Sequence, residues 1–260
     1  MGLLSWFGKG PFSEAKINKI TKLATNPFAQ TDVRTNEMLR LLHDGSDLAL
    51  RGVLKRFAVN ANGHIADEDE KKWLEDRLVD MGEGVLPALG DYIRSQEQLT
   101  YALRAYLRIA GRETAVQFFL SVLKSYGPDD YRSSDAKVQL LWQLADELSA
   151  PHVLSTLVPF LTDHSDEVRW VVMDLITRAH SETWLTPAIL EDIVRYLAEV
   201  VTHKETAPRI LRRACELLAE HEWQLPETHL ELAPLMEEEF FVDKKHFVRR
   251  RSKKRTDDQR

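Results

Sequence analysis

Nine histidines, at positions 43, 64, 152, 164, 180, 203, 221, 229 and 246, are the first candidates for metal or acid–base chemistry in this chain. No two stand three or four residues apart, the spacing at which imidazoles on one helix face share a metal ion. His221-Glu222 is a single His-Glu pair. Residues 58–69 (AVNANGHIADED) carry Asn60, Asn62 and Gly63 near the positions of a calcium loop. Ala58 stands where the first carboxylate is needed and Asp69 where the bidentate glutamate is needed. The same residues read as a glycine turn entering a helix, with Asp67, Glu68 and Asp69 at the positive end of its dipole. Cys215, the only cysteine, lies between Ala214 and Glu216 in an amphipathic stretch and reads as a buried thiol. There is no Gly-x-Ser-x-Gly, and Gly8-Lys9-Gly10-Pro11 lacks the length and the Lys-Ser/Thr of a phosphate loop. No catalytic residue, metal or cofactor is expected.

Binding chemistry is better represented. Trp142 and Asp146 stand four apart, and Trp170 and Asp174 repeat that spacing. Val168, Val171, Val172, Leu175 and Ile176 already supply an apolar stripe, which leaves Trp170 at its margin as a candidate interface anchor. The polar connection Tyr126 to Ser133 adds Tyr126, Tyr131 and Arg132 as candidate contacts. Between residues 244 and 255 eight of twelve residues are basic: Lys244, Lys245, Arg249, Arg250, Arg251, Lys253, Lys254 and Arg255. Such a run suits an acidic protein face, nucleic acid or an anionic surface, or folds against its own acidic body. Near the start, Leu3, Leu4, Trp6 and Phe7 form an apolar knot, read as a cap over the first helices; membrane or partner contact is its alternative.

The charge is unevenly placed. The net charge of −6 combines +6 over residues 243–260 with −12 over the rest, so the body repels phosphate backbones and favours a basic partner. At 260 residues with 43% hydrophobic content the chain buries a sizeable core. Eleven glycines and ten prolines favour long regular elements. A single cysteine and no apolar run of spanning length are read as a cytoplasmic, non-membrane chain.

Apolar residues recurring every three and four positions predict helices over 14–25, 36–43, 47–58, 68–81, 84–94, 97–110, 112–125, 134–148, 151–162, 166–179, 187–201 and 206–220. Short gaps make successive helices antiparallel neighbours. The only strand candidate is a marginal hairpin, Phe240-Phe241-Val242 and His246-Phe247-Val248 about Asp243-Lys244-Lys245. Aligning an aliphatic-Arg dipeptide brings together DLALRGVLKRF (47–57), LTYALRAYLRI (99–109), SDEVRWVVMDL (165–175) and PRILRRACELL (208–218), with Gln139 in the arginine's place in DAKVQLLWQL (135–144).

Residues 154–179 (LSTLVPFLTDHSDEVRWVVMDLITRA) resemble a HEAT repeat: an aliphatic helix containing proline, an Asp-bearing turn, Val-Arg, then spaced aliphatics. Residues 84–111 are similar to the same unit, including the bacterial HEAT-like variety of phycobilin lyases. The resemblance implies an all-α protein, an α-solenoid of about five HEAT-like antiparallel helix pairs with an N-terminal capping helix, related to armadillo-like helical arrays. It also implies a ladder in which Arg51, Arg104, Arg169 and Arg212 meet turn carboxylates, Asp163 or Asp166 in the case of Arg169. Stacking agrees with physical logic, since one helix pair cannot bury both apolar faces alone.

HEAT-like DNA glycosylases combine a tryptophan and an aspartate in a basic cleft, which the acidic body here argues against. The expected organisation is an N-terminal segment and capping helix over 1–34, repeats over 35–225, a C-terminal cap over 226–242 and a basic flexible tail over 243–260. The expected role is a non-enzymatic scaffold or adaptor offering a curved acidic surface to another protein with a basic patch. The alternatives are an enzyme or chaperone-lyase of the HEAT-like type, and a nucleic-acid adaptor using the tail.

Overall fold

The three- and four-residue recurrence of apolar side chains is realised as helix after helix in the computed structural model. It describes residues 11–203 and 206–252, and of Arg132 the backbone alone. The α-helices are α1 Glu14–Ala24, α2 Thr31–Asp44, α3 Asp47–Leu54, α4 His64–Met81, α5 Leu86–Ser95, α6 Thr100–Ala110, α7 Arg112–Tyr126, α8 Ser134–Gln143, α9 Pro151–Leu157, α10 Asp166–Ser181, α11 Pro187–Thr202 and α12 Pro208–Glu220. The N-terminal apolar knot lies outside the described residues. The chain divides into two compact units, Met1–Val122 and Leu123–Arg260, with the division inside α7.

In the first unit α3 packs between α1 and α5, and α4 packs between α2 and α6, so alternate helices form two rows. Ile17, Ile20, Leu41, Val53, Leu74, Leu78, Leu89 and Ile93 are buried in the seams between them. Gly52 allows the close approach of α3 to α1, because a Cβ there would collide with Oγ1 of Thr21. The aligned arginines fall on different rows: Arg51 belongs to α3 and Arg104 to α6. In the second unit Gln139, Arg169 and Arg212 stand on α8, α10 and α12, which pack in one row, so the shared pattern follows the rows there and not in the first unit.

In the second unit α10 packs between α8 and α12, while α9, the 3-10 turn Val158–Thr162 that continues it, and α11 lie along the other side. Pro159 falls inside that 3-10 turn, since proline cannot donate to the α-helical ladder. Prolines at the first turn of α9, α11 and α12 sit where no donor is needed.

Several boundaries differ from the periodicity, three of them near the buried cations or in the 3-10 turns. Helix α2 begins at Thr31 after Gln30, several residues before Thr35. Helix α3 tightens into a 3-10 turn over Lys55–Ala58. Helix α4 begins at His64, so Asp67 is not its cap; that carboxylate is drawn inward by buried cations described below. The segment read as a flexible tail begins inside a hairpin. Strand β1, Phe240–Val242, pairs antiparallel with β2, Val248–Arg250, in the register Phe240↔Arg250 and Val242↔Val248. It is the one sheet among the described residues and packs on α12.

Candidate functional site

Helices α8 and α10 run side by side in the same direction. Lys137 in the first turn of α8 pairs at 2.6 Å with Asp163, just before α10, and both side chains are fully buried. Past the far end of α8, Asp146 accepts from Arg178 of α10 at 3.2 Å. Of the two carboxylates expected for Arg169, Asp166 is the one it meets, on its own helix, while Asp163 is taken by Lys137. Burial pushes the Asp163 carboxyl upward against the pull of the Lys137 ammonium. Helix α12 continues the row, with Arg209 at 3.4 Å from Glu167 and Arg213 at 3.4 Å from Asp174.

The two tryptophans sit on this framework. Trp142 on α8 is 52% exposed and Trp170 on α10 is 37% exposed. They lie five and seven residues beyond Lys137 and Asp163 on two helices that pack against each other. Tyr131 is 73% exposed, and its ring meets that of His164 edge-on at 6.4 Å. Tyr131 just before α8, Trp142 on α8 and Trp170 on α10 are thus exposed aromatic side chains of the second unit. Tyr126 is less available, since burial raises its hydroxyl pKa. The Arg132 side chain lies outside the described residues.

The other expected ladder arginines each find a carboxylate. Arg51 pairs with Asp47 on its own helix at 2.7 Å and with Asp91 of α5. Arg104 meets Glu75 of α4, and Arg212 meets Glu239 before β1. Of the tail residues, Lys244 and Lys245 are exposed at the hairpin tip. Arg249 pairs with Glu222 at 2.6 Å and Asp243 at 3.1 Å, Arg250 with Glu216 at 3.9 Å, and Arg251 donates to the Glu237 carbonyl at 2.7 Å. The same three guanidinium groups lie over the rings of Phe247, Phe240 and Phe241. Lys253, Lys254 and Arg255 lie outside the described residues.

The calcium-like loop is filled by the protein's own cations. Glu70 accepts from Arg34 at 2.9–3.1 Å and from Arg56, and Asp67 accepts from Arg56, from Lys71 at 2.8 Å and from the Ala61 amide at 2.9 Å. Asn60 accepts from Lys71 at 2.9 Å. These donors hold the Asp67 carboxyl down to about 2 against the cost of its burial. Nothing in the spacing of Arg34, Arg56 and Glu70 announced this cluster, because its members come from three separate elements.

Cys215 is buried, and burial pushes its thiol up to about 12, which makes it inert as a nucleophile. Among the described residues no group of three or more His, Cys, Asp or Glu is placed to hold a metal ion, and no helix is long and apolar enough to cross a membrane. A cavity of about 280 Å³ lies between α12 and the hairpin. A groove of about 420 Å³ in the first unit passes Gly90 and the Tyr106 and Phe118 rings, which stack at 4.4 Å. Neither is lined by Trp142 or Trp170. No family model, curated protein or solved structure matches the chain.

Proposed function

We propose that this protein is a non-catalytic α-solenoid scaffold whose α8–α10 face binds a partner protein through Tyr131, Trp142 and Trp170. The carrying observation is two large indoles left open on adjacent helices that a buried Lys137–Asp163 pair holds in register. Large aromatic side chains on a rigid element contribute contact area at little entropic cost, which is why they dominate interface energetics. The acidic body favours a partner with a basic patch and speeds encounter. Packing of alternate helices in rows within each unit supports the HEAT-like reading. The arginines of the hairpin already meet the protein's own acceptors, which weakens the case for a nucleic-acid adaptor.

The test is affinity capture from the native cell with the full chain and with Trp142→Ala/Trp170→Ala, at low and high salt. The double variant is expected to retain about tenfold less partner with unchanged circular dichroism, and salt is expected to lower retention by the parent chain. Equal retention by both chains would contradict the assignment of the face. Salt-indifferent retention would contradict the electrostatic part.

A further inference from the structure

His180, near the end of α10, and His221, just past α12, meet with ring centroids 4.1 Å apart. Trp223 closes the cluster, 4.9 Å from His221 and 5.3 Å from His180. Nε2 of His221 is buried and has no hydrogen-bond partner among the described residues. A neutral imidazole tolerates this, because its unprotonated nitrogen carries no hydrogen to satisfy. An imidazolium donates from both nitrogens and would leave the buried Nε2–H without an acceptor.

Burial, His180 of α10 and Arg213 of α12 all disfavour a proton on His221, while Glu220 favours one, and the balance lowers its pKa below the usual 6.5. Glu222, next to His221 in the chain, pairs with Arg249 of the hairpin. Helix α11 and the Pro234–Met236 turn also pack on α12, and their buried side chains are apolar.

This cluster sits where the hairpin is fastened. Glu222, between His221 and Trp223, has a left-handed backbone with φ 50°, a strained conformation for a side chain of its size. Beyond it Gln224 bridges to Phe247, and the Leu225 amide donates to the His246 carbonyl at 2.8 Å. We propose that His180, His221 and Trp223 form a proton-operated latch that holds the C-terminal hairpin to α12 when neutral and releases it on protonation. Release frees Arg249 and Arg250 from Glu222 and Glu216, and so exposes a basic strand to an acidic partner face.

The sign follows from linkage. Above pH 6.5 both the open and closed forms are neutral and the latch is closed. Below 6.5 the open form takes a proton at the ordinary pKa while the closed form resists. The open fraction therefore rises by up to about tenfold per pH unit until the lowered pKa of His221 is reached.

The experiment is amide hydrogen exchange on the full chain at pH 7.5 and 5.5, expressed as protection factors so that intrinsic pH dependence cancels. Protection at Leu225 and Asp243 is expected to fall several-fold at pH 5.5 while Leu103 in α6 holds. The fall is expected to vanish in His180→Phe/His221→Phe, which keeps ring packing without titration. Unchanged protection in the parent chain, or the same fall in the double variant, would overturn the latch. Should that variant not fold, NMR titration of the parent histidines decides: His221 titrating below 6.5 with hairpin shifts following it supports the latch, and titration at or above 6.5 sinks it. None of these readouts depends on the α8–α10 face.

Discussion

The first unit buries five side chains, Arg34, Arg56, Asp67, Glu70 and Lys71, in one connected ionic cluster, while the second buries the Lys137–Asp163 pair alone. The cluster reaches into two loops. Arg34 donates to the Ala29 carbonyl, Arg56 to the Val59 carbonyl at 2.7 Å, and Lys71 to Asn60. Its members satisfy backbone groups that the loops leave unpaired, so the loops are fixed in place instead of being free to reshape around an ion or ligand. The lone pair in the second unit has a different effect. It ties the starts of α8 and α10 together, the Asp146–Arg178 pair joins their far ends, and Trp142 and Trp170 stand exposed on the same two helices. Buried charge in one unit holds loops, and in the other it joins the starts of two helices.

Substitutions separate the two roles. The largest loss is expected for Glu70→Ala, which removes the only carboxylate partner shown for buried Arg34 and one of the two that buried Arg56 has. About 3–5 kcal/mol of stability should disappear in urea titrations, and a loss below about 1 kcal/mol would mean that water reaches the cluster. Next comes Lys137→Met, with a loss of about 3 kcal/mol at pH 7 from an unpaired buried carboxylate. Because burial already raises the Asp163 pKa, that penalty should shrink as pH falls and Asp163 takes up a proton. Adding Asp163→Asn should recover most of it. A penalty that is flat with pH would show that packing, not charge, is what Lys137 supplies. Smallest is Trp142→Ala/Trp170→Ala, expected to change stability by less than about 1 kcal/mol, because exposed side chains add little to the core.

The helices were legible because apolar spacing and proline or glycine breakers are local signals. Trp170 was legible too, since its helix already had a full apolar stripe without it. The buried cations were not. Alignment selected Gln139 as the counterpart of the arginines, yet the residue that links helices is Lys137, two positions earlier. A lysine reads as a surface residue until its acceptor is known, and Asp163 lies far along the chain. Asp67 does stand in the first turn of α4, as its position predicts, but its buried pairing was not legible, since Arg56 and Lys71 reach it only in the folded unit. The hairpin was seen as marginal because three-residue strands carry little pattern, and its stability comes from α12 and from Leu225. His180 and His221 come from different helices, so no motif spacing could have paired them.

The most direct measurement is photo-crosslinking from a benzophenone amino acid placed at position 142 or 170 of the full chain in its native cell, with position 195 on α11 as the control. The scaffold account predicts the same discrete protein adduct from both tryptophan positions and none from the control. Adducts from all three alike, or from neither tryptophan position, would contradict it.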